Sequence, residues 1–347
     1  MNNIKDKIRG CLVGGAVGDA LGYAVEFKRE REIFGTYGKN GITEYMLNKH
    51  TGQAIISDDT QMTLFTAVGI LAKSGRGILR NIEEAYFDWL TTQTFSFTDA
   101  KKIKVFNSEL MSVPELYKQR APGNTCLSAL EKRVRSKTIP ESYIKSALNN
   151  SKGCGGIMRT APIGMIFDDD IEKIEMLAAE ASAITHGHSL GYMPSAVIAH
   201  IINRLLYGSS ASSLKDIIIE ARNNCAKLFA EDLNIKELTD IIDLAIQLST
   251  NNDSDLENIH RIGEGWIAEE TLGIALYCAL RYESDFSAAM TASVNHNGDS
   301  DSTGAVTGNI LGTLIGYDII DEKWKNNLEL LDFILKIADN LYSELHK

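Results

Sequence analysis

Apolar positions recur at helical spacing through most of the chain. Within Gln61–Ala72 the apolar residues Leu64, Phe65, Val68, Leu71 and Ala72 form one stripe of a 3.6-residue helix. The same period marks Ile171–Ile184, Ser195–Leu206, Ile235–Leu248, Trp266–Leu280 and Leu328–Tyr342. Ile42–Leu47 is the one stretch that reads as a short strand. Five prolines and long runs of Ala, Leu, Ile, Glu and Lys favour helix almost everywhere. No Pro-, Gly- or Ser-rich linker and no fixed repeat divides the pattern. It therefore predicts an all-α fold, a helical bundle in a single domain spanning residues 1–347.

Two segments depart from ordinary helical composition. Gly10, Gly14, Gly18 and Gly22 stand every fourth residue near the start, and Gly304, Gly308, Gly312 and Gly316 do the same near the end. Each glycine costs a helix about 1 kcal/mol relative to alanine, so something must offset the rows. Close packing of two helices through a small-residue ridge does so. A sharper reading is that the approach also holds the acidic residues at the helix ends in one place.

Composition narrows the function. The chain is 44% hydrophobic with a net charge of −11, so a surface that neutralises nucleic-acid phosphates is excluded. The five cysteines, Cys11, Cys126, Cys154, Cys225 and Cys278, are odd in number, scattered and never spaced as CxxC. That argues against a disulfide framework or a zinc site and for a reducing, cytoplasmic setting. The basic-then-apolar start carries Asp19 and Glu26 and lacks a clean cleavage site, so it does not read as a signal peptide. Ser302–Tyr317 is uncharged but 16 residues long, short of the about 20 that span a bilayer. No membrane partner is expected.

The candidate chemistry lies in polar clusters that precede these helices. Ser57, Asp58, Asp59 and Thr60 stand before the uncharged run Gln61–Ala72, and Asn295-His-Asn-Gly-Asp299-Ser-Asp301-Ser-Thr303 stands before the second glycine row. Each alone reads as a helix cap. Residues two apart on a helix point about 200° from each other, so Asp299 and Asp301 converge on one ligand only if their stretch is a loop, which Gly298 permits. Four carboxylates beside buried helices, with no Lys or Arg in either cluster, must be neutralised, and an all-oxygen set suits two Mg²⁺ or Mn²⁺. Asp19 and Glu26 share a face of the first helix. Asp19 suits a structural hydrogen-bonding role, and Glu26, at the helix end, suits a base or a gate. In Ser151-Lys152-Gly153-Cys154-Gly155-Gly156-Ile-Met-Arg159, three glycines bracketed by two cations offer backbone donors to a pyrophosphate. It is neither a P-loop nor a Rossmann turn. His186 and His188 lack a third ligand for zinc, so hydrogen bonding to ligand or core fits them better.

In order along the chain, GCLVGGAVGDALGYAVEF, SDDTQMT, KGCGGIMRTAPIG, THGH, GEGWIAEETLGIALYCAL and NGDSDSTGAVTG resemble the motif series of the ADP-ribosylglycohydrolase family, from about Gly10 to Gly316. The resemblance implies an all-helical fold around a dinuclear Mg²⁺ or Mn²⁺ centre held by Ser57, Asp58, Asp59, Asp299, Asp301 and Ser302. It implies Glu26, Asp58, Asp59 and Asp301 as catalytic residues. Asp58, Lys152, Gly153, Cys154, Gly155, Gly156 and His186 would bind substrate. Cys154 departs from the asparagine that many members carry there, which puts one side-chain contact in doubt. The implied activity is removal of ADP-ribose from a modified side chain, arginine favoured, by a monomer acting on a protein or small-molecule conjugate. A cognate ADP-ribosyltransferase is a further expected partner. Serine-linked hydrolysis, and non-catalytic binding that blocks a transferase, are the alternatives. Selectivity would lie in loops such as Lys28–His50 and Thr91–Asn124.

Overall fold

A computed structural model describes residues 4–102, 108–136 and 138–346. Eight helices position the site: α1 (Ile4–Tyr23), α2 (Asp58–Leu71), α3 (Ile78–Thr94), α4 (Ile171–Ala183), α5 (Ser189–Tyr207), α6 (Ala268–Arg281), α7 (Ser300–Ile315) and α8 (Leu331–Leu345). The described residues hold no strand, only isolated bridges. Ile42–Leu47 is thus not the expected strand. Leu47 makes a single bridge to Ala54, and the Asn295 amide satisfies the backbone of Ile42, donating to its O at 2.9 Å and accepting from its N at 2.7 Å. A side chain does there what a neighbouring strand would.

The glycine rows are the spine of the fold. A Cβ on Gly10 would lie 2.1 Å from Gly312 O, on Gly14 2.3 Å from Gly308 O, on Gly18 1.9 Å from Gly304 O, and on Gly22 2.2 Å from Ser300 O. Numbers rise along α1 as they fall along α7, so the two helices run antiparallel in backbone contact. Asn309 Nδ2 donates to Cys11 O at 2.8 Å, and its side chain fills the space that Gly15 leaves. Loss of side-chain entropy is nil in such a ridge, and dispersion between close backbones offsets part of the helix penalty.

The remaining helices wrap this pair. α8 packs on α1, α3 on α2, α4 on α5, and α6 on α7. Every residue of α2 from Asp58 to Ile70 is buried, the signature of a helix with neighbours all round. Beyond its first turn the neutral polar residues are paired: Thr63 Oγ1 donates to Met158 O at 3.1 Å, Thr66 Oγ1 meets Tyr86 OH at 2.7 Å, and Gln61 Oε1 accepts from Trp89 Nε1 at 3.2 Å. The helix expected at Ser195–Leu206 begins six residues earlier, at Ser189, and continues through Pro194. His188 caps it, its Nδ1 accepting from Leu190 N at 3.1 Å. None of the described helices is long and apolar enough to cross a membrane.

Candidate active site

Asp19 sets the geometry between α1 and α2. Its carboxylate accepts from Ser57 N at 2.9 and 3.0 Å, from Thr60 N at 3.0 Å and from the Thr60 hydroxyl, so it caps the start of α2 from the side. Burial lifts its pKa to about 6 against the lowering effect of those donors. This is the structural role the sequence suggested. Ser57 is the residue before α2, its Oγ accepting from Asp59 N at 3.1 Å. Asp58 and Asp59 then occupy the first turn, where the helix dipole favours negative charge.

The second pair stands at the start of α7. Asp299 is the N-cap, with φ −83° and ψ 76°, and Asp301 lies in the first turn. The stretch is not wholly a loop: the two carboxylates converge because Asp299 stands outside the helix and turns back toward it. Ser302 N is 3.3 Å from Asp299 Oδ1 and 3.0 Å from Asp301 Oδ1. The Ser302 side chain also acts on the Asp59 carboxylate, lowering its pKa, so the starts of α2 and α7 face each other.

Glu26 completes the cluster from a different position than expected. α1 ends at Tyr23, and the chain turns through Val25 N to Gly22 O and Lys28 N to Val25 O, each 2.8 Å. The turn, not a helix face, delivers Glu26 to Asp299 and Asp301, with one oxygen of each carboxyl within 4.8 Å of the others. Burial first, then the charges of Asp299, Asp58 and Asp19, raise the Glu26 pKa to about 9. Burial also pushes Asp58, Asp59 and Asp301 well above the carboxylate range, reinforced by neighbouring carboxylates. Among the described residues, buried Glu26 Oε2 and Asp59 Oδ2 have no hydrogen-bond partner. Such oxygens need a cation or a proton.

These carboxylates open onto a cavity of about 510 Å³, within the range of small-molecule sites. Asp58, Asp59, Asp299, Asp301, Ser302 and Glu26 line it together with Gly153, Cys154, Gly155 and His186. Ser57, Lys152 and Gly156 are not on its wall. Lys152 Nζ is 2.5 Å from Glu269 Oε1 and 3.4 Å from Glu237 Oε1, and Arg159 is wholly buried against the Tyr86 ring and Thr185. Neither bracketing cation is therefore free for a ligand. The glycines also make room for their neighbours. A Cβ on Gly155 would lie 2.9 Å from His186 Cε1, and one on Gly156 1.9 Å from Ser182 Oγ, so they admit the histidine ring and α4. Gly153 N and Cys154 N are committed to Ser151 Oγ and Trp266 O.

His186 is buried, with Nδ1 2.9 Å from Thr185 Oγ1, which in turn accepts from Arg159 at 2.6 Å. Burial, aided by the Arg159 charge, lowers its pKa to about 3, so the ring is neutral. Cys154 Sγ lies 2.7 Å from Asp299 Oδ2, and burial raises its thiol pKa well above the ordinary value.

Part of the opposite wall, Gln119–Asn124, belongs to the loop expected to set selectivity, whereas Thr125–Leu127 and the exposed rings of Phe27 and Trp266, stacked with centroids 6.2 Å apart, were not singled out by the sequence. The two rings sit inside quoted motifs, and that adjacency was the available signal. Ala121 on this wall has φ 55°, a left-handed conformation that costs a non-glycine residue about 1–2 kcal/mol. Arg120, bonded to Glu329 Oε1 at 3.2 Å and Ile56 O at 3.3 Å, and Pro122 hold it there.

An all-α frame that brings buried carboxylates from two helix starts to one cavity beside a glycine turn defines a carboxylate-centred hydrolase of the glycosidase type. The chain belongs to the ADP-ribosylglycohydrolase family, whose model matches residues 1–347. It is thus a glycosidase-type ADP-ribosyl hydrolase. The ADP-ribosylhydrolase ARH3 of Homo sapiens is 24% identical over 378 residues, covering 98% of this chain and 94% of that protein. The ADP-ribosyl-[dinitrogen reductase] glycohydrolase of Rhodospirillum rubrum is 22% identical, covering 94% and 92%. A solved ADP-ribosylglycohydrolase-related protein complex superposes with a TM-score of 0.68 at 22% identity, covering 99% of both chains.

Proposed function

We propose that the protein removes ADP-ribose from modified side chains, arginine N-glycosides in particular, with two divalent cations, Mg²⁺ or Mn²⁺. The observation that carries this reading is the pair of unpartnered buried oxygens, Glu26 Oε2 and Asp59 Oδ2, in a cluster of carboxylates with no basic side chain among them. Oxygen donors alone suit a hard cation. Ser57, Asp58, Asp59, Asp299, Asp301 and Ser302 would hold it. When bound, the metal supplies charge balance and polarises ribose hydroxyls.

The protein's own groups do the rest. Gly155, which lines the cavity, turns a backbone donor to the diphosphate, the N–H groups of Gly153 and Cys154 being already spent. Neutral His186 keeps its Nε2 edge beside Gly153, available to the same ligand without adding charge. As the bond from the anomeric carbon to the side-chain nitrogen breaks, positive charge grows on the sugar, and the surrounding carboxylates stabilise it. Glu26, on a turn at the cavity edge and ionised once a cation balances the neighbouring carboxylates, would take the proton of the attacking water and return it to the departing guanidine nitrogen. Arginine is favoured because a guanidinium leaving group is a planar cation, and carboxylates together with the Phe27 and Trp266 rings suit one.

The test is release of ADP-ribose from matched arginine-linked and serine-linked peptides in Mg²⁺. We expect arginine conjugates to turn over faster, EDTA to stop release, and Asp301→Ala to abolish it. Full activity of Asp301→Ala with metal bound would refute this site.

A further inference from the structure

Beside the cavity runs a second depression of about 610 Å³. Its floor is the last turns of α1, with Ala20, Tyr23 and Ala24, and its sides are Met46–Lys49 and Lys118–Arg120. Gln119 lines both, so the two adjoin. Tyr23 ties them electrostatically, since its hydroxyl feels Glu26 and Asp301 on one side and Arg120 on the other.

The groove has a composition unlike the rest of the molecule. Met46 and Leu47 are 54% and 41% exposed, large apolar side chains open to solvent over much of their surface. None of the lining residues is acidic, yet three are cationic in a chain of net charge −11. Arg120 is committed to Glu329 and Ile56, whereas the ammonium groups of Lys49 and Lys118 make no hydrogen bond or ion pair among the described residues. An apolar floor edged by two unspent lysines fits an apolar side chain flanked by carboxylates.

We propose that this groove seats the polypeptide that carries the modification, and that it selects target segments with an apolar residue between acidic ones. The proposal rests on the cavity being the ADP-ribosyl hydrolase site. With the modified side chain in the cavity, the flanking backbone leaves past Gln119, and each extended residue advances it by about 3.4 Å along the groove. Opposite charge at an exposed rim tunes encounter and partner choice more than depth of binding. Carboxylates on the target therefore lower KM, and the turnover of a small conjugate is untouched.

The experiment compares four arginine-linked substrates: free ADP-ribosylarginine and three peptides of equal length whose flanks are Glu-Leu-Glu, Ser-Gly-Ser or Lys-Leu-Lys. Wild-type protein should show the lowest KM for the acidic-apolar peptide. The doubly substituted Lys49→Glu/Lys118→Glu protein should raise that KM about tenfold, lower it for the basic peptide, and leave kcat/KM for free ADP-ribosylarginine unchanged. In 0.5 M NaCl the difference should shrink, as screening of exposed charges requires. Equal KM for the three peptides on the wild type overturns the groove, as does a loss on the free conjugate as large as on the peptides. Fluorescence anisotropy of the unmodified Glu-Leu-Glu peptide separates the two ideas. If it binds the wild type and not the double variant while no substrate releases ADP-ribose, the groove stands and the activity falls.

Discussion

The ridge between α1 and α7 can be perturbed at either end with the same chemistry, and the two ends should answer differently. A Cβ on Gly22 would stand 2.2 Å from Ser300 O and 2.6 Å from Asp301 Cα. Van der Waals contact begins near 3.4 Å, so the first turn of α7 must retreat by about 1 Å, carrying Asp301 with it. Gly10→Ala makes an equal clash, 2.1 Å from Gly312 O, about 18 Å away along α1. Overpacking of this kind costs about 1–3 kcal/mol, so both variants should melt several degrees lower by differential scanning fluorimetry. Only Gly22→Ala moves a carboxylate. A misplacement of about 1 Å at a reacting centre costs on the order of a hundredfold, which ADP-ribose release and Mg²⁺ titration calorimetry would both register. Gly35→Ala is the control: nothing lies within 4 Å of its Cβ, and the change should gain up to about 1 kcal/mol of helix stability. If Gly22→Ala melts early yet turns over and binds metal normally, the ridge packs the core and does not position the acids.

Two further outcomes follow from the site. In EDTA, stability should fall as pH rises from about 4.5 toward 9, because folded Glu26 (pKa about 9) and Asp19 (about 6) hold protons that the unfolded chain has released; Mg²⁺ should flatten the slope of Tm against pH. A rise in Tm over that window without metal would contradict the raised values. Gly155→Ala places a methyl 2.9 Å from both His186 Cε1 and Cys126 Sγ; it should lower kcat/KM by tenfold or more while the circular dichroism spectrum stays native.

The parts of this architecture that a reader of the sequence could see were those encoded locally. Asp58, Asp59, Asp299 and Asp301 announced themselves as helix starts, and the absence of nearby cations announced that capping left charge over. The four-residue glycine rows predicted a ridge. What stayed hidden depends on partners far along the chain. Lys152 looks free beside its glycines until Glu269, more than a hundred residues on, takes its charge. Arg159 likewise turns inward to Tyr86. Glu26 lies beyond the helix because the chain turns after Tyr23, and no pattern distinguishes that turn from one more helical residue. Pro194 hid the first turn of α5, since proline in a helix interior usually marks an end.

The ridge also dictates when this protein can begin to work. Gly14 and Gly308 touch across a separation of about 300 residues, so the half of the site attached to α1 meets the half attached to α7 only after most of the chain has left the ribosome. Until then α1 lacks the partner against which its glycine row packs. Competence arrives with that closing contact, when Asp299 and Asp301 join Glu26, Asp58 and Asp59.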